Sequence, residues 1–527
     1  MKERILTSLL TVFVITGLRA QSVSPVPKLV IGLTIDQLRT DYIEAFSAMY
    51  GERGFKRLMK EGRVYFNAEY DFINIDRSSA VASLYTGTTP YQNGIVGNRW
   101  MDRNSLCVVK SVDDKDFMGI YTSESTSPKY LQVSTVSDEL MVATHGTAEV
   151  YSIAPTREMA VLAAGHAAKG AFWLNEVTGK WCGSTYYGTF PQWITTYNDR
   201  EAVDFRIDNL IWEPYLPVNA YKYVTSDVKQ LTFKHNFTDE RADKYRKFRT
   251  SPYVNDEVNR LVNACLENTS VGKDEVPDLL TLSYYAGNYD HRPNTELPLE
   301  IQDVYVRLDN TLGDLLELID RKIGLSNTLF FITSTGYSDA DPADPPQYRI
   351  PGGEFHIDRC AALLNMYLMA IYGPGQYVET YYDQQIYFNH KLIEERKMNL
   401  TEVMNRASDF IVQMSGVRSA YSAQRLLLGA WTPRIDKIRN SFTAACSGDI
   451  YIEVMPGWSV FNPYSKTVKV VRDTYASVPL AFIGCNIKPE IIYTPVKMST
   501  VAPTVTHFMR IRAPNAAGTS PLTGIRK

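Results

Sequence analysis

Histidine is scarce in this chain, with seven in 527 residues, and charge of either sign is nearly balanced, 55 Lys and Arg against 58 Asp and Glu for a formal net charge of −3. A near-neutral chain has no electrostatic reason to bind nucleic acid or an anionic membrane surface. Few histidines leave little imidazole for holding zinc or for general-base work. The six cysteines, Cys107, Cys182, Cys265, Cys360, Cys446 and Cys485, are scattered and show no CxxC spacing, which argues against a metal cluster. A mixture of disulfides and buried thiols is expected of them, in a connectivity the sequence leaves open. No stretch after the N-terminus reaches about eighteen uncharged apolar residues, so no membrane span is expected. Against these absences stands an ordinary apolar content of 45%, which excludes a disordered chain. At roughly 100–200 residues per domain, the length suggests two to four units or one large core carrying insertions.

At the N-terminus, Lys2 and Arg4 precede an uncharged run, Ile5 to Gly17, that closes on Leu18-Arg19-Ala20 before Gln21. This is the pattern of a secretory signal peptide over residues 1–20, and it places the mature chain in the periplasm or outside the cell. Leu29 to Ile35 is then a nearly continuous apolar run stopped by Asp36, the pattern of a strand buried on both faces of a parallel sheet. Similar runs recur at Leu279–Tyr285, Leu329–Thr335, Ile450–Met455 and Val478–Ile483. Between two of them, Ile301, Val304, Leu308, Leu312, Leu315 and Ile319 fall at helical spacing. The reading is an α/β layered fold with a central, mostly parallel sheet flanked by helices. Core segments are expected at 21–171, 253–341 and 448–527. An aromatic-rich cap, with Trp173, Trp181, Trp193 and Trp212, is expected at 172–252, and a second insertion at 342–447.

Ligands of an open parallel sheet bind beyond the carboxyl ends of its strands, which directs attention to Asp36, the Tyr285–Arg292 loop, Thr335-Gly336 and the Tyr475–Val478 segment. At this point the chain resembles the alkaline phosphatase superfamily, in its secreted, phosphate-irrepressible bacterial branch, related to nucleotide pyrophosphatase/phosphodiesterases. Ile35-Asp36-Gln37-Leu38-Arg39, Tyr85-Thr86-Gly87-Thr88-Thr89-Pro90 and Gly94-Ile95-Val96-Gly97-Asn98 carry the resemblance, with Ala164-Gly165-His166, Ser447-Gly448-Asp449 and Pro456-Gly457-Trp458. It implies an alkaline-phosphatase-like fold over about residues 28–520.

Active members of that superfamily hold two zinc ions with three Asp and three His and attack phosphate with a Thr or Ser. Carried over by position, the resemblance keeps Asp36 alone among the metal ligands and puts Asn288, Arg292, Thr335, Gly336 and Ser477 at the others. The nucleophile position falls on Arg77, with Ser78 beside it. Thr156 and Glu158 stand where the branch has a Lys and an Arg on phosphate, and Asn98 is kept. Asp290-His291 is the pair that the alternative of a rebuilt metal site would use. The remaining histidines, His145, His166, His235, His356, His390 and His507, are read as structural. Three carboxylates facing an empty site repel one another, so losing metals favours losing carboxylates. Arg77 is therefore expected to pair with Asp36, because a buried unpaired carboxylate costs about 3–5 kcal/mol. Arg292 is expected in the same pocket, and Ser78 and Ser79 are expected to cap the helix that begins there.

The function expected on this reading is that of an exported, catalytically inactive pseudophosphatase acting as a binding or scaffold component of the cell envelope, with no cofactor. The expected partner is another exported or envelope protein, docked on the aromatic cap. A phosphate- or sulfate-bearing ligand on Arg77, Arg292 and Asn98 is the second candidate. The alternative is a metal-dependent phosphomonoesterase or phosphodiesterase with a rebuilt metal site, which then needs zinc.

Overall fold

Eight consecutive residues, Leu29–Asp36, form strand β1 of the computed structural model, and every one of them is buried. A strand covered on both faces has this pattern. Its side chains divide between two apolar cores: Leu29, Ile31, Leu33 and Ile35 enter one, and Val30 enters the other. Strand periodicity therefore puts Asp36 on the Val30 face, and this parity decides what its carboxylate meets. The structure describes residues 25–221, 232–238, 243–292, 297–338, 352–430, 432–463, 466–471 and 477–526. The expected signal peptide, residues 1–20, and the first residues of the expected second insertion lie outside the described residues.

Around β1 the described residues build an 11-stranded sheet. In chain order its strands are β2 (Arg63–Glu69), β3 (Gly119–Ile120), β4 (Val150–Ala154), β5 (Gly170–Leu174), β6 (Trp181–Ser184), β7 (Asp278–Tyr285), β8 (Thr328–Ser334), β9 (Val478–Gly484) and β10 (Glu490–Ile492), with Val496–Lys497 beside β2. The order across the sheet is β10-β2-β9-β8-β1-β7-β4-β5-β6-β3. Strands β8, β1, β7, β4 and β5 are parallel, so their carboxyl ends open at one edge. β9 is antiparallel to both of its neighbours, against the parallel pattern its apolar run suggests.

Helices α1 (Arg77–Thr86), α2 (Arg157–Ala164), α3 (Lys244–Arg249), α4 (Tyr253–Asn268), α5 (Pro298–Lys322) and α6 (Val501–Met509) follow in chain order. α1, α2 and α6 pack on the Val30 face, and α4 and α5 on the other. In α5 the residues at helical spacing from Ile301 to Ile319 are all buried.

Two expectations about the insertions need correction. Position 172 falls inside β5, and Trp173 and Trp181 belong to core strands rather than to a cap. Trp173, Trp181 and Trp212 are each no more than 1% exposed, so these three tryptophans are interior packing rather than surface. Ile450–Val454 is not a strand of the central sheet. It joins Val378–Tyr382, Gln385–Phe388 and Val417–Ser422 in a separate four-stranded sheet, which packs on Ile357–Tyr372 and Leu400–Ile411 around its own apolar core. All six cysteines are free thiols. Among the described residues no helix is long and apolar enough to cross a membrane.

Candidate active site

α1 begins where the chain turns at the open edge of the sheet. Its N-cap is Asp76, not Ser78 or Ser79: the Asp76 carboxylate accepts from the Ser79 N–H at 3.0 Å, and the Ser79 hydroxyl returns the contact to Asp76 in a capping box. The Ser78 N–H donates to Asn98 Oδ1 at 3.0 Å, and the Ser78 hydroxyl is buried against Ser111 at 2.8 Å. The first-turn amides of α1 are thus engaged, and Asn98 is held by the helix rather than directed into the pocket.

Arg77 is the first helical residue, and parity has placed Asp36 on its side of the sheet. Its Nε and Nη2 donate to Asp36 Oδ2 at 2.9 and 2.7 Å. The other carboxylate oxygen accepts from the Thr335 hydroxyl at 2.9 Å. The side chains are 14% and 2% exposed, so this is a buried, fully engaged pair. Burial pulls the Arg77 guanidinium down, yet Asp36, Tyr337 and Glu158 hold it well above its ordinary range.

The remaining edge residues separate into those near this pair and those turned away. Glu158 Oε1 stands 3.8 Å from Arg77 Nη1. Burial pushes its carboxyl up, but Arg77, its own backbone N–H, Arg249 and Arg157 outweigh that and hold it below the usual range. Thr156 caps α2 and is 8% exposed. Asn288 is buried in the loop after β7. Asp290 turns toward α3, where Arg246 meets it at 2.6 Å, so it is directed away from Asp36. Arg292, expected in the pocket, is exposed, as is His291. The additional guanidinium that does arrive is Arg249, the last residue of α3, which sequence reasoning missed; the basic run Lys244-Tyr245-Arg246-Lys247-Phe248-Arg249 was the available signal. Gly336 has φ +76°, and a Cβ there would lie 2.6 Å from the Tyr70 ring, so this position admits no side chain without rearrangement. Ser477 is exposed and bonds Asn67 at 3.0 Å. A cleft of about 560 Å³ lies between Gly336 and Ser477 of this edge and the second insertion, lined also by Ile75, Tyr70, Lys437 and Tyr451; neither Asp36 nor Arg77 lines it.

Three of the histidines, His166, His390 and His235, sit in structural contacts. His166 bridges Asp138 at 2.9 Å and the Leu131 carbonyl at 3.0 Å. His390 meets Asp449 at 2.9 Å, the carboxylate that also receives Arg103. His235 packs on Tyr289 of the loop after β7, with its ring 4.7 Å away, and meets Glu300 at 3.0 Å; it is thus closer to a strand end than its place in sequence suggests. The Asp138 contact raises the His166 pKa above its ordinary 6.5, and although burial pushes Asp138 up, His166 and backbone N–H groups hold it below its ordinary 3.8. A raised folded-state pKa stabilises fully below pH 6.5 and loses that contribution as pH rises through the folded value; the Asp138 contribution is lost as pH falls below 3.8. His166→Gln is therefore expected to lower the melting temperature most between those limits, with the deficit shrinking as pH rises through the raised folded-state value of His166. A deficit independent of pH in a melting series would contradict the assignment.

Can this edge hold two metal ions? Of the six positions that the resemblance assigns as ligands, only Asp36 carries a ligating carboxylate, and both of its oxygens are engaged. Among the described residues no group of three or more His, Cys, Asp or Glu could hold a metal ion. The residues present do not fit the two-zinc arrangement at those positions.

An open, mostly parallel sheet with its candidate centre at the carboxyl edge is the architecture of the alkaline phosphatase superfamily. The crystal structure of wild type alkaline phosphatase PafA matches with a TM-score of 0.83 at 27% identity, covering 96% of this chain and 100% of that one. The chain belongs to the type I phosphodiesterase / nucleotide pyrophosphatase family, whose model matches residues 30–477. It is 29% identical to alkaline phosphatase PafA of Elizabethkingia meningoseptica, over 98% of each chain. It is also 29% identical to alkaline phosphatase PhoV of Synechococcus elongatus, over 95% of this chain and 93% of that one. These relatives overturn two expectations. An inactive pseudophosphatase scaffold is at odds with full-length likeness to chains named as phosphatases, and the expectation of no cofactor is at odds with the class those names denote.

Proposed function

We propose that the chain is a phosphoric ester hydrolase acting on phosphomonoesters or phosphodiesters at the Asp36 edge of the sheet. The observation that carries this reading is the likeness to alkaline phosphatase PafA over 98% of each chain. Arg77, Arg249 and Arg157 all act on Glu158, and Asp36, Glu176 and Asp113 in turn hold the three guanidiniums, so the edge is a charge-balanced cluster. The cleft of about 560 Å³ is of the size that small-molecule sites have, and it reaches the sheet edge at Gly336 and Ser477. Arg77 stands where the resemblance puts the nucleophile, and Ser78 is sealed against Ser111. The reading therefore makes water the attacking group: its oxygen bonds to phosphorus as the bond to the ester oxygen breaks, and the alcohol leaves. A metal requirement comes with the class of the relatives; the residues described at this edge do not supply a ligand set for it, so the requirement is put to the test by chelation rather than assigned to a site. Export is part of the reading, supported by Lys2, Arg4 and the apolar run after them.

Purified protein is expected to release phosphate from p-nitrophenyl phosphate or to cleave bis(p-nitrophenyl) phosphate, to slow on chelation and to recover with zinc. Asp36→Ala, which frees Arg77 from its anchor, is expected to lower kcat by about 10²–10³. No hydrolysis of either ester, with or without added zinc, overturns the reading.

A further inference from the structure

The helix Ile357–Tyr372 of the second insertion is apolar on both of its faces. Ile357, Cys360, Ala361, Leu364 and Leu368 enter the core of the insertion. An amphipathic helix would answer them with charge on the other side, yet from Cys360 to its end no residue is charged. On the outward face stand Ala362, Leu363, Met366, Met369 and Ala370, all exposed, Leu363 by 48% and Met366 by 62%. The helix Leu400–Ile411, packed on the same core, shows the ordinary solution, with Glu402, Asn405, Arg406 and Asp409 facing water. A contiguous exposed apolar face of this kind marks a surface that another molecule covers.

The pattern of the face says which molecule fits it, because the face is symmetric about Met366. Leu363 and Met369, Ala362 and Ala370, and Arg359 and Gly373 lie at equal distances to either side. At about 3.6 residues per turn, Leu363 and Ala370 share one flank of the face, and Ala362 and Met369 share the other. An antiparallel copy related by a two-fold axis at Met366 therefore sets Leu363 against Ala370 and Met369 against Ala362. A large side chain meets a small one in each case, and the two Met366 side chains meet at the axis. The ends agree with this arrangement. Glu354 and Asp358 are partly exposed at the head of the helix, and at its tail Arg396 donates to the Tyr372 carbonyl at 3.1 Å. Reversal brings the acidic head of one helix to the guanidinium at the tail of the other. It also brings the exposed Arg359 to a carbonyl end, where a cation is favoured.

We propose that two copies of this chain pair through the helix Ile357–Tyr372, antiparallel, about a two-fold axis at Met366. The helix has 16 residues and is about 24 Å long. One such face on each copy is smaller than the roughly 800 Å² per partner of a standard interface, so the pairing is weak and set by concentration. Methionine at the axis suits such a contact, since its unbranched side chain adapts to what it meets.

Sedimentation velocity on the full mature chain, from about 1 to about 100 μM, follows the association. Wild type is expected to pass from monomer to dimer with rising concentration, and Met366→Leu to do the same. Met366→Glu, which sets two carboxylates against each other at the axis, is expected to raise the midpoint by about tenfold or more. A cysteine series tests the geometry in a Cys107→Ser background, which removes the exposed native thiol. On mild oxidation with diamide, Met366→Cys is expected to form a disulfide-linked dimer, and Leu363→Cys mixed with Ala370→Cys to form a mixed one, whereas Leu363→Cys alone stays largely monomeric. A monomer at every concentration, a dimer indifferent to Met366→Glu, or self-linking of Leu363→Cys as complete as that of Met366→Cys overturns the proposal. If Met366→Glu does not fold, the cysteine series decides.

Discussion

Arg77→Met is expected to lower stability by about 3–5 kcal/mol, and adding Asp36→Asn to the same chain is expected to restore much of that loss. The reason lies in how Asp36 is held. Its side chain is 2% exposed, one oxygen rests on the Arg77 guanidinium and the other on Thr335. Removing the guanidinium leaves a carboxylate with a single neutral donor in an interior where an isolated charge is strongly disfavoured. Neutralising the carboxylate removes that penalty while preserving its shape. Two groups in direct contact should show a coupling of about 2–3 kcal/mol in the double-mutant cycle. Urea unfolding followed through the core tryptophans Trp173 and Trp181 measures it. Strictly additive losses would mean that the pair contributes nothing beyond its separate packing.

Much of this centre could be read from the sequence because strand parity is a strict rule. β1, β7 and β8 are apolar runs buried on both faces, and each ends where chemistry is expected. Asp36 follows from the end of its apolar run, and Arg77 from the nucleophile position that the resemblance implies. The second guanidinium does not. Arg249 reaches the edge through α3, whose basic run reads locally as a solvated face, whereas Arg292 aligns with a ligand position but sits in a loop that leaves it exposed. The cap boundary failed for a related reason. Phe172, Trp173 and Trp181 are bulky aromatics without helical period, yet β5 and β6 bury them within the sheet. Ile450–Val454 has the same local pattern as a central strand, and only the separate core of the second insertion accounts for its burial. Local pattern thus reported burial correctly in these strands and was silent on which core received the side chains.

Asp303→Leu is expected to release the segment from Trp212 to Tyr221. Asp303 lies on α5, is fully buried, and accepts from four donors: the Trp212 indole at 2.6 Å, the Tyr215 N–H at 2.7 Å, the Tyr221 hydroxyl at 2.6 Å and Arg307 Nε at 2.7 Å. Three of the four come from the stretch between β6 and α4, so one carboxylate ties that stretch to the core. A leucine of similar size keeps the volume but leaves these donors without their acceptor and Arg307 without its buried counterion. Removing one partner from a buried charge pair costs about 3–5 kcal/mol, and each stranded donor adds about 1–3 kcal/mol where water cannot reach it. Local opening is the cheaper response, since it rehydrates the tryptophan, the tyrosine and the backbone N–H together while β1, β7 and β8 remain packed. Limited proteolysis should therefore cut between residues 203 and 253 in the variant well before the central sheet unfolds. A variant that resists cleavage like wild type and keeps its melting temperature would show that the stretch is held by its apolar contacts alone, and that the Asp303 network contributes specificity of position rather than stability.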